Sequence, residues 1–160
     1  FYQGGFEPET LDRLEPIMDL CKQRDVPVMI HTNEPVGHLY PGKTPNTLAE
    51  IYALIKRFPE NKVILAHWGG GIFFYMLMKK EVSEALANVY FDTAASPFLY
   101  SPQIYPAAAS IAGAEKILWG TDFPLIKPDR YFRDIAASDL GEAEKERLLG
   151  ANAARLFNLS

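Results

Sequence analysis

The sequence predicts an α/β fold built on a parallel sheet, and three observations predict it. After an opening helical segment, strand-like and helix-period stretches alternate four times along the chain. The strand-like stretches are near-continuous apolar runs rather than polar–apolar alternations, the pattern of strands covered on both faces. At or just beyond the C-terminal end of each run stands a polar residue: His31, His67, Asp92 or Asp122.

Taken in order, Pro8 to Asp25 reads as a helix, with Leu11, Leu14, Met18 and Cys21 on one face. Cys21 belongs to that apolar stripe, which makes it a packing residue rather than a redox group. Val26 to Thr32 is the first strand, ending in His31. A loop with Pro35, Gly37, Pro41 and Gly42 follows, and Thr44-Pro45 offers an N-cap with proline at the first helical position. The helix so begun carries Leu48, Ile51, Tyr52, Ile55 and Phe58 and stops near Pro59. Lys62 to Trp68 is the second strand, and Gly69-Gly70-Gly71 turns it into an apolar helix over about Ile72 to Leu86. Val89 to Ala94 is the third strand. A short helix over Pro106 to Ala112 follows, its start set by Pro106. Lys116 to Gly120 is the fourth strand, running into Thr121-Asp122-Phe123-Pro124. Helices over Asp129 to Ala137 and Glu142 to Leu149, and a last one in the Gly150 to Leu159 tail, complete the chain.

Two architectures share this order: an open flavodoxin-like parallel sheet, or part of a (β/α)₈ barrel. A whole barrel takes about 250 residues, so four strands in 160 residues would supply half of one. The composition excludes other classes. Hydrophobic residues make up 48% and charged residues 22%, which is globular rather than disordered. The net charge is −4 and the basic residues do not cluster, which disfavours nucleic acid. A single cysteine rules out an internal disulfide, and no apolar run is long enough to span a bilayer. The expectation is one domain over residues 1–160, cytoplasmic, without membrane or nucleic-acid partners. The opening Phe1-Tyr2-Gln3-Gly4-Gly5 shows no signal-peptide pattern and no initiator methionine, so the chain is expected to be the latter part of something longer.

His31, His67, Asp92 and Asp122 all fall at the C-terminal ends of strands, where parallel α/β folds collect their functional groups. Each has a structural alternative: a hydrogen-bonded histidine, a loop cap before Pro124, a turn cap at Asp92 through Thr93 or Ala94. The joint placement of two histidines and an aspartate points to a site. Imidazole nitrogens and a carboxylate oxygen suit zinc, iron or manganese, and a bound metal brings the pKa of its water to near 7. A carboxylate at that water can take its proton, and a nearby histidine can polarise a carbonyl or donate a proton. The glycine triplet matches neither the dinucleotide fingerprint nor the P-loop and is read as room for the turn after His67. His38 has two readings, facing the mouth or facing solvent, of which solvent is favoured, while Glu34, Tyr40 and Lys43 share its loop without a fixed direction. No Gly-x-Ser-x-Gly occurs, and Cys21 lies on the wrong element for a nucleophile.

The ordered set Val26-Pro27-Val28-Met29-Ile30-His31-Thr32, Val63-Ile64-Leu65-Ala66-His67-Trp68-Gly69-Gly70, Val89-Tyr90-Phe91-Asp92-Thr93 and Ile117-Leu118-Trp119-Gly120-Thr121-Asp122-Phe123-Pro124, closed by Asn152-Ala153-Ala154-Arg155-Leu156-Phe157, resembles the C-terminal half of the amidohydrolase-2 family. These are metal-dependent (β/α)₈-barrel (TIM-barrel) hydrolases and decarboxylases. The resemblance implies that the four strands are the fifth to eighth of the barrel. It implies that His31 is a metal ligand, that His67 polarises substrate or assists proton transfer, and that Asp122 binds metal and handles the water's proton. It assigns Asp92 no general catalytic role. The family's first-strand His-x-His pair is absent, since the only histidines are His31, His38 and His67. The implied activity is hydrolysis of a small carboxylated, lactone or amide substrate by metal-activated water, with zinc foremost and manganese or iron as alternatives. Decarboxylation of an aromatic or unsaturated acid is the second reading, and a non-catalytic α/β binding domain the third. A homo-oligomer, or assembly with a missing N-terminal half, is the expected association.

Overall fold

A computed structural model of the chain describes residues 5–159; the sequence readings on Phe1 to Gly4 lie outside them. Helix α1 (Pro8–Gln23) begins with proline at its first position and turns Leu11, Leu14 and Met18 inward. Cys21 sits half-buried at the margin of that face. Four strands follow, β1 (Val28–Ile30), β2 (Val63–Leu65), β3 (Val89–Asp92) and β4 (Ile117–Leu118), all parallel and in the sheet order β1-β2-β3-β4. Val28 pairs with Val63, Val63 with Val89, and Phe91 with Ile117.

That order carries the choice between architectures. A doubly wound sheet reverses its strand order once and places helices on both faces. Here the order runs without reversal, and the helices α1, α2 (Leu48–Arg57), α5 (Ile104–Ala112) and α6 (Pro128–Ala136) share one core with Val63, Leu65, Val89, Phe91 and Ile117. The sheet is wound in one direction, as in a barrel, and the flavodoxin-like alternative is excluded. The opposite face of the strands carries Ile64, Tyr90 and Leu118, covered by Ala153 and Leu156 of α8 (Asn152–Leu156). Burying Ile51, Leu54 and Ile55 of α2 contributes about 1.5–3 kcal/mol for each side chain. Among the described residues no helix is long and apolar enough to cross a membrane.

Several elements differ from their sequence-based expectation. The strands are two to four residues long, and at their C-terminal ends side chains add to backbone rungs such as Ala66 N to Ile30 O and Thr93 N to Leu118 O, both at 3.0 Å. The Thr32 hydroxyl donates to the Ala66 carbonyl, and Thr93 Oγ1 donates to Gly120 O at 2.9 Å while accepting from Gly120 N at 3.0 Å. Helix α2 starts at Leu48 rather than Pro45: Thr47 is its N-cap in a capping box with Glu50, while Thr44 is held by Asn33. The run Ile72 to Leu86 is not one helix. Five left-handed residues, His67 to Gly71, precede 3₁₀ turns to Leu77; the chain then extends at Met78–Lys79 before α3 (Lys80–Ala85). Adjacent residues Ile72 and Phe73 are buried whereas Phe74 is 59% exposed, so apolar content here did not carry a helical stripe. Helix α5 starts two residues before Pro106, which still lies in the first turn, where an N–H has no helical acceptor to lose. A short α4 (Ser96–Leu99) precedes it, and α7 (Glu142–Glu146) runs through a π-turn at Arg147–Ala151 into α8.

Candidate active site

The C-terminal ends of the four strands open onto one cavity of about 470 Å³. His31, His67 and Asp122 line it together, after β1, β2 and β4 respectively. The His31 and His67 rings meet edge to face, with centroids 5.0 Å apart and planes at 77°.

His67 stands where β2 breaks into the left-handed turn. Its own φ is 53° and Trp68 follows at 60°, a conformation that costs an L-residue roughly 1–2 kcal/mol. What holds it is packing and hydrogen bonding. Trp68 is fully buried against Tyr105, with ring centroids 5.5 Å apart, and its Nε1 donates to Ser96 Oγ at 2.6 Å. Gly70 lets the turn abut the end of β1: a Cβ there would lie well inside 3.0 Å of the Asn33 carbonyl oxygen. His67 N donates to Asp92 Oδ1 at 2.8 Å, and its Nδ1 meets the Ala94 carbonyl at 3.0 Å. A carbonyl only accepts, so Nδ1 carries a proton, and in the neutral ring Nε2 is the acceptor.

His31 is the other half of the pair. Its Nε2 is buried and has no hydrogen-bond partner among the described residues. Burial, and then the neighbouring His67, lower its pKa below the ordinary histidine value, while Asp122 acts in the opposite direction. An unpartnered, largely neutral imidazole nitrogen beside a carboxylate fits a divalent cation in kind. In number the set is short, because among the described residues no three or more His, Cys, Asp or Glu side chains are arranged so that they could hold a metal ion together. Asp122 is exposed on the cavity at a left-handed φ of 58°, and its carbonyl accepts from Leu125 N at 2.8 Å. Asp92 does not line the cavity. It is buried, which raises its pKa against the two backbone N–H bonds it accepts, and it caps its own turn through Ala94 N at 3.0 Å.

The loop between β1 and α2 forms the outer wall. Asn33 Oδ1 accepts from Thr44 N at 2.7 Å and from Thr44 Oγ1 at 2.8 Å, and Asn46 Nδ2 donates to His31 O at 3.2 Å. Lys43 Nζ donates to Glu34 Oε1 at 3.1 Å, to Val36 O at 2.8 Å and to His38 O at 3.4 Å; the side chains of the ion pair are only 11% and 16% exposed. Tyr40 OH donates to the other Glu34 oxygen at 3.2 Å. This network fixes directions that the sequence left open, and it places His38 and Tyr40 on the cavity. His38, read from sequence as facing solvent, is exposed but belongs to the rim. Sequence reasoning also missed the apolar wall of Pro41, Phe98, Leu99 and Leu125. Its signal was positional, since each of these residues lies in a segment that follows a strand.

The "Amidohydrolase" family model matches residues 3–159 of the chain. No curated protein matches it. Among solved structures, a dihydroxybenzoic acid decarboxylase from a Polaromonas species, with bound manganese and the inhibitor 2-nitroresorcinol, is similar with a TM-score of 0.75 at 22% identity, over 96% of this chain and 55% of that one. The 5-carboxyvanillate decarboxylase of Sphingomonas paucimobilis gives 0.75 at 19% identity, over 97% and 55%. A TIM-barrel protein of Bordetella bronchiseptica gives 0.68 at 21% identity, over 92% and 50%. The chain thus spans about half the length of the structures it matches, and its sheet and helices are part of a (β/α)₈ barrel.

Proposed function

From the premise that this chain belongs to the amidohydrolase family, we propose that its cavity is part of the active site of a metal-dependent hydrolase acting on a small carboxylated, lactone or amide substrate. The observation that carries the proposal is the buried, unpartnered Nε2 of His31 on a cavity shared with Asp122 and His67. His31 and Asp122 are the residues that would hold the metal, with further ligands from outside this chain. Zinc suits this donor set, and manganese, present in one similar structure, is the alternative. Bound there, a divalent ion supplies Lewis acidity and acidifies a water near neutral pH.

The chain's own residues account for the rest. Asp122, open to the cavity, accepts the proton as water oxygen bonds to the substrate carbonyl carbon. The carbonyl electron pair moves onto oxygen, facing His67. Because the Nδ1 proton of His67 is committed to Ala94 O, the ring can donate from Nε2 only as the imidazolium. His67 therefore stabilises the oxyanion in its protonated form, or passes that proton to the leaving group.

Decarboxylation is a second reading, favoured by the apolar wall of Phe98, Leu99 and Leu125 and by the activities named for two of the similar structures. The wall would pack a flat unsaturated body. The carbon–carboxylate bond breaks, and the electron pair left on carbon takes a proton from His67 or Asp122.

Isotope tracing separates the two. A panel of lactones, amides and aromatic acids is incubated with the manganese- or zinc-loaded protein in H₂¹⁸O and in D₂O. Hydrolysis places ¹⁸O in the product; decarboxylation releases CO₂ and places deuterium on carbon. A protein that takes up no stoichiometric metal and turns over no member of the panel refutes both readings.

A further inference from the structure

One oxygen of Asp92 accepts two backbone N–H groups from different places in the chain. Oδ1 lies 2.8 Å from His67 N, across 25 positions of sequence, and 3.0 Å from Ala94 N. Ala94 in turn offers the carbonyl that accepts from His67 Nδ1 at 3.0 Å. The same oxygen therefore holds both the backbone that carries the imidazole and the carbonyl that orients it. A turn cap needs only the Ala94 bond. The His67 bond is an addition that no local turn requires.

We propose that Asp92 is the positioning residue of His67, keeping that ring in its Nδ1–H tautomer with Nε2 left to the cavity. Asp92 does this without touching substrate, because it does not line the cavity. Without the carboxylate, the His67 N–H loses its acceptor, and the left-handed turn at φ 53° loses its bond to β3. The Ala94 carbonyl is released at the same time, and the ring is free to take the other tautomer. The proposal deepens the role given to His67 above and rests on it for its catalytic meaning, but the geometry it asserts is measurable without any turnover.

The test is ¹⁵N NMR of histidine-labelled protein, free of metal, at about pH 8.5, where imidazoles of ordinary pKa are neutral; His67→Gln assigns the signals. The expected result is the Nδ1–H tautomer at His67, with slow exchange of the His67 and Ala94 amides. Asp92→Asn, whose amide oxygen still accepts, keeps that tautomer. Asp92→Leu shifts the tautomer ratio at least several-fold toward Nε2–H, while an unchanged near-UV circular dichroism spectrum reports an intact fold. Wild-type protein with His67 as the Nε2–H tautomer overturns the proposal, and so does loss of the Nδ1–H tautomer in Asp92→Asn. A folded Asp92→Leu with the wild-type ratio overturns it as well. Should Asp92→Leu not fold, Asp92→Ala takes its place with the same expected shift and the same refuting result. None of these outcomes depends on whether the protein is a hydrolase, so failure here and failure of that function are distinguishable.

Discussion

Gly70→Ala tests how the two halves of the candidate site are registered. Gly70 has a φ of +62°, and an added Cβ would press on the backbone carbonyl of Asn33, next to the strand end that carries His31. Two costs follow. A left-handed conformation costs an L-residue roughly 1–2 kcal/mol, and forcing a methyl into a backbone wall costs a further ~1–3 kcal/mol. The sum is about 2–5 kcal/mol. Gly71→Ala is the matched control: its φ is +91°, and nothing lies within 4 Å of the position a Cβ would take. Its conformational cost is at least as large and it lacks the contact, so any excess loss in Gly70→Ala, up to ~1–3 kcal/mol, reports the approach to Asn33. Urea denaturation measures it through the midpoint at constant slope. In thermal unfolding, a loss of about 3 kcal/mol lowers Tm by roughly 6–12 °C for a domain of this size. If Gly70→Ala falls within about 0.5 kcal/mol of Gly71→Ala, the Asn33 carbonyl yields, and the close approach does not register His67 against His31.

Four further outcomes are expected. Lys43→Met removes an ammonium that donates to Glu34, Val36 O and His38 O; it should cost about 1–3 kcal/mol in urea and speed amide exchange across residues 34–43. His31→Ala and Asp122→Ala should each lower zinc or manganese affinity at least ~10-fold by calorimetry, and unchanged affinity in both would remove them as ligands. In metal-free protein the lowered pKa of His31 means that the unfolded chain binds its proton first. Stability should therefore fall as pH drops through about 6.5, and His31→Gln should flatten that part of the curve of urea midpoint against pH. If a metal-bound water supplies the nucleophile, activity should rise with pH through neutrality, and a flat profile from pH 5 to 9 would refute that mechanism.

The fold was legible where one physical signal dominated. The four apolar runs could only be covered strands, and the polar residues at their ends could only share an edge once the pairing was parallel. His31, His67 and Asp122 were found that way, and the structure places them on one cavity. What escaped was set by contacts between distant segments. The stretch from His67 to Leu77 has the hydrophobicity of a helix, but its first five residues are left-handed, held by Asp92, Ser96 and the space that Gly70 leaves beside Asn33. Thr44 looked like a helix cap because proline follows it, yet Asn33 takes its hydroxyl and Thr47 caps instead. His38 was read toward solvent because nothing in the sequence of its loop sets its direction. Its direction comes from Lys43 bonding three acceptors at once, which no spacing rule encodes.

The side-chain rungs at the ends of the strands have a consequence for how this protein can change. Along β1 to β4 the sheet is joined by backbone bonds, which any residue except proline can supply. At the C-terminal ends, bonds from Thr32, Asp92 and Thr93 are added to these, and they depend on particular side chains. Substitution at the bottom of a strand alters packing and leaves the joints whole, whereas substitution at the top opens one. Drift in sequence is therefore tolerated at one end of each strand and resisted at the other, even at positions such as Thr93 that never meet the cavity. New specificities on this scaffold would arise most readily in Pro41, Phe98, Leu99 and Leu125, which line the cavity while their side chains carry none of these joints.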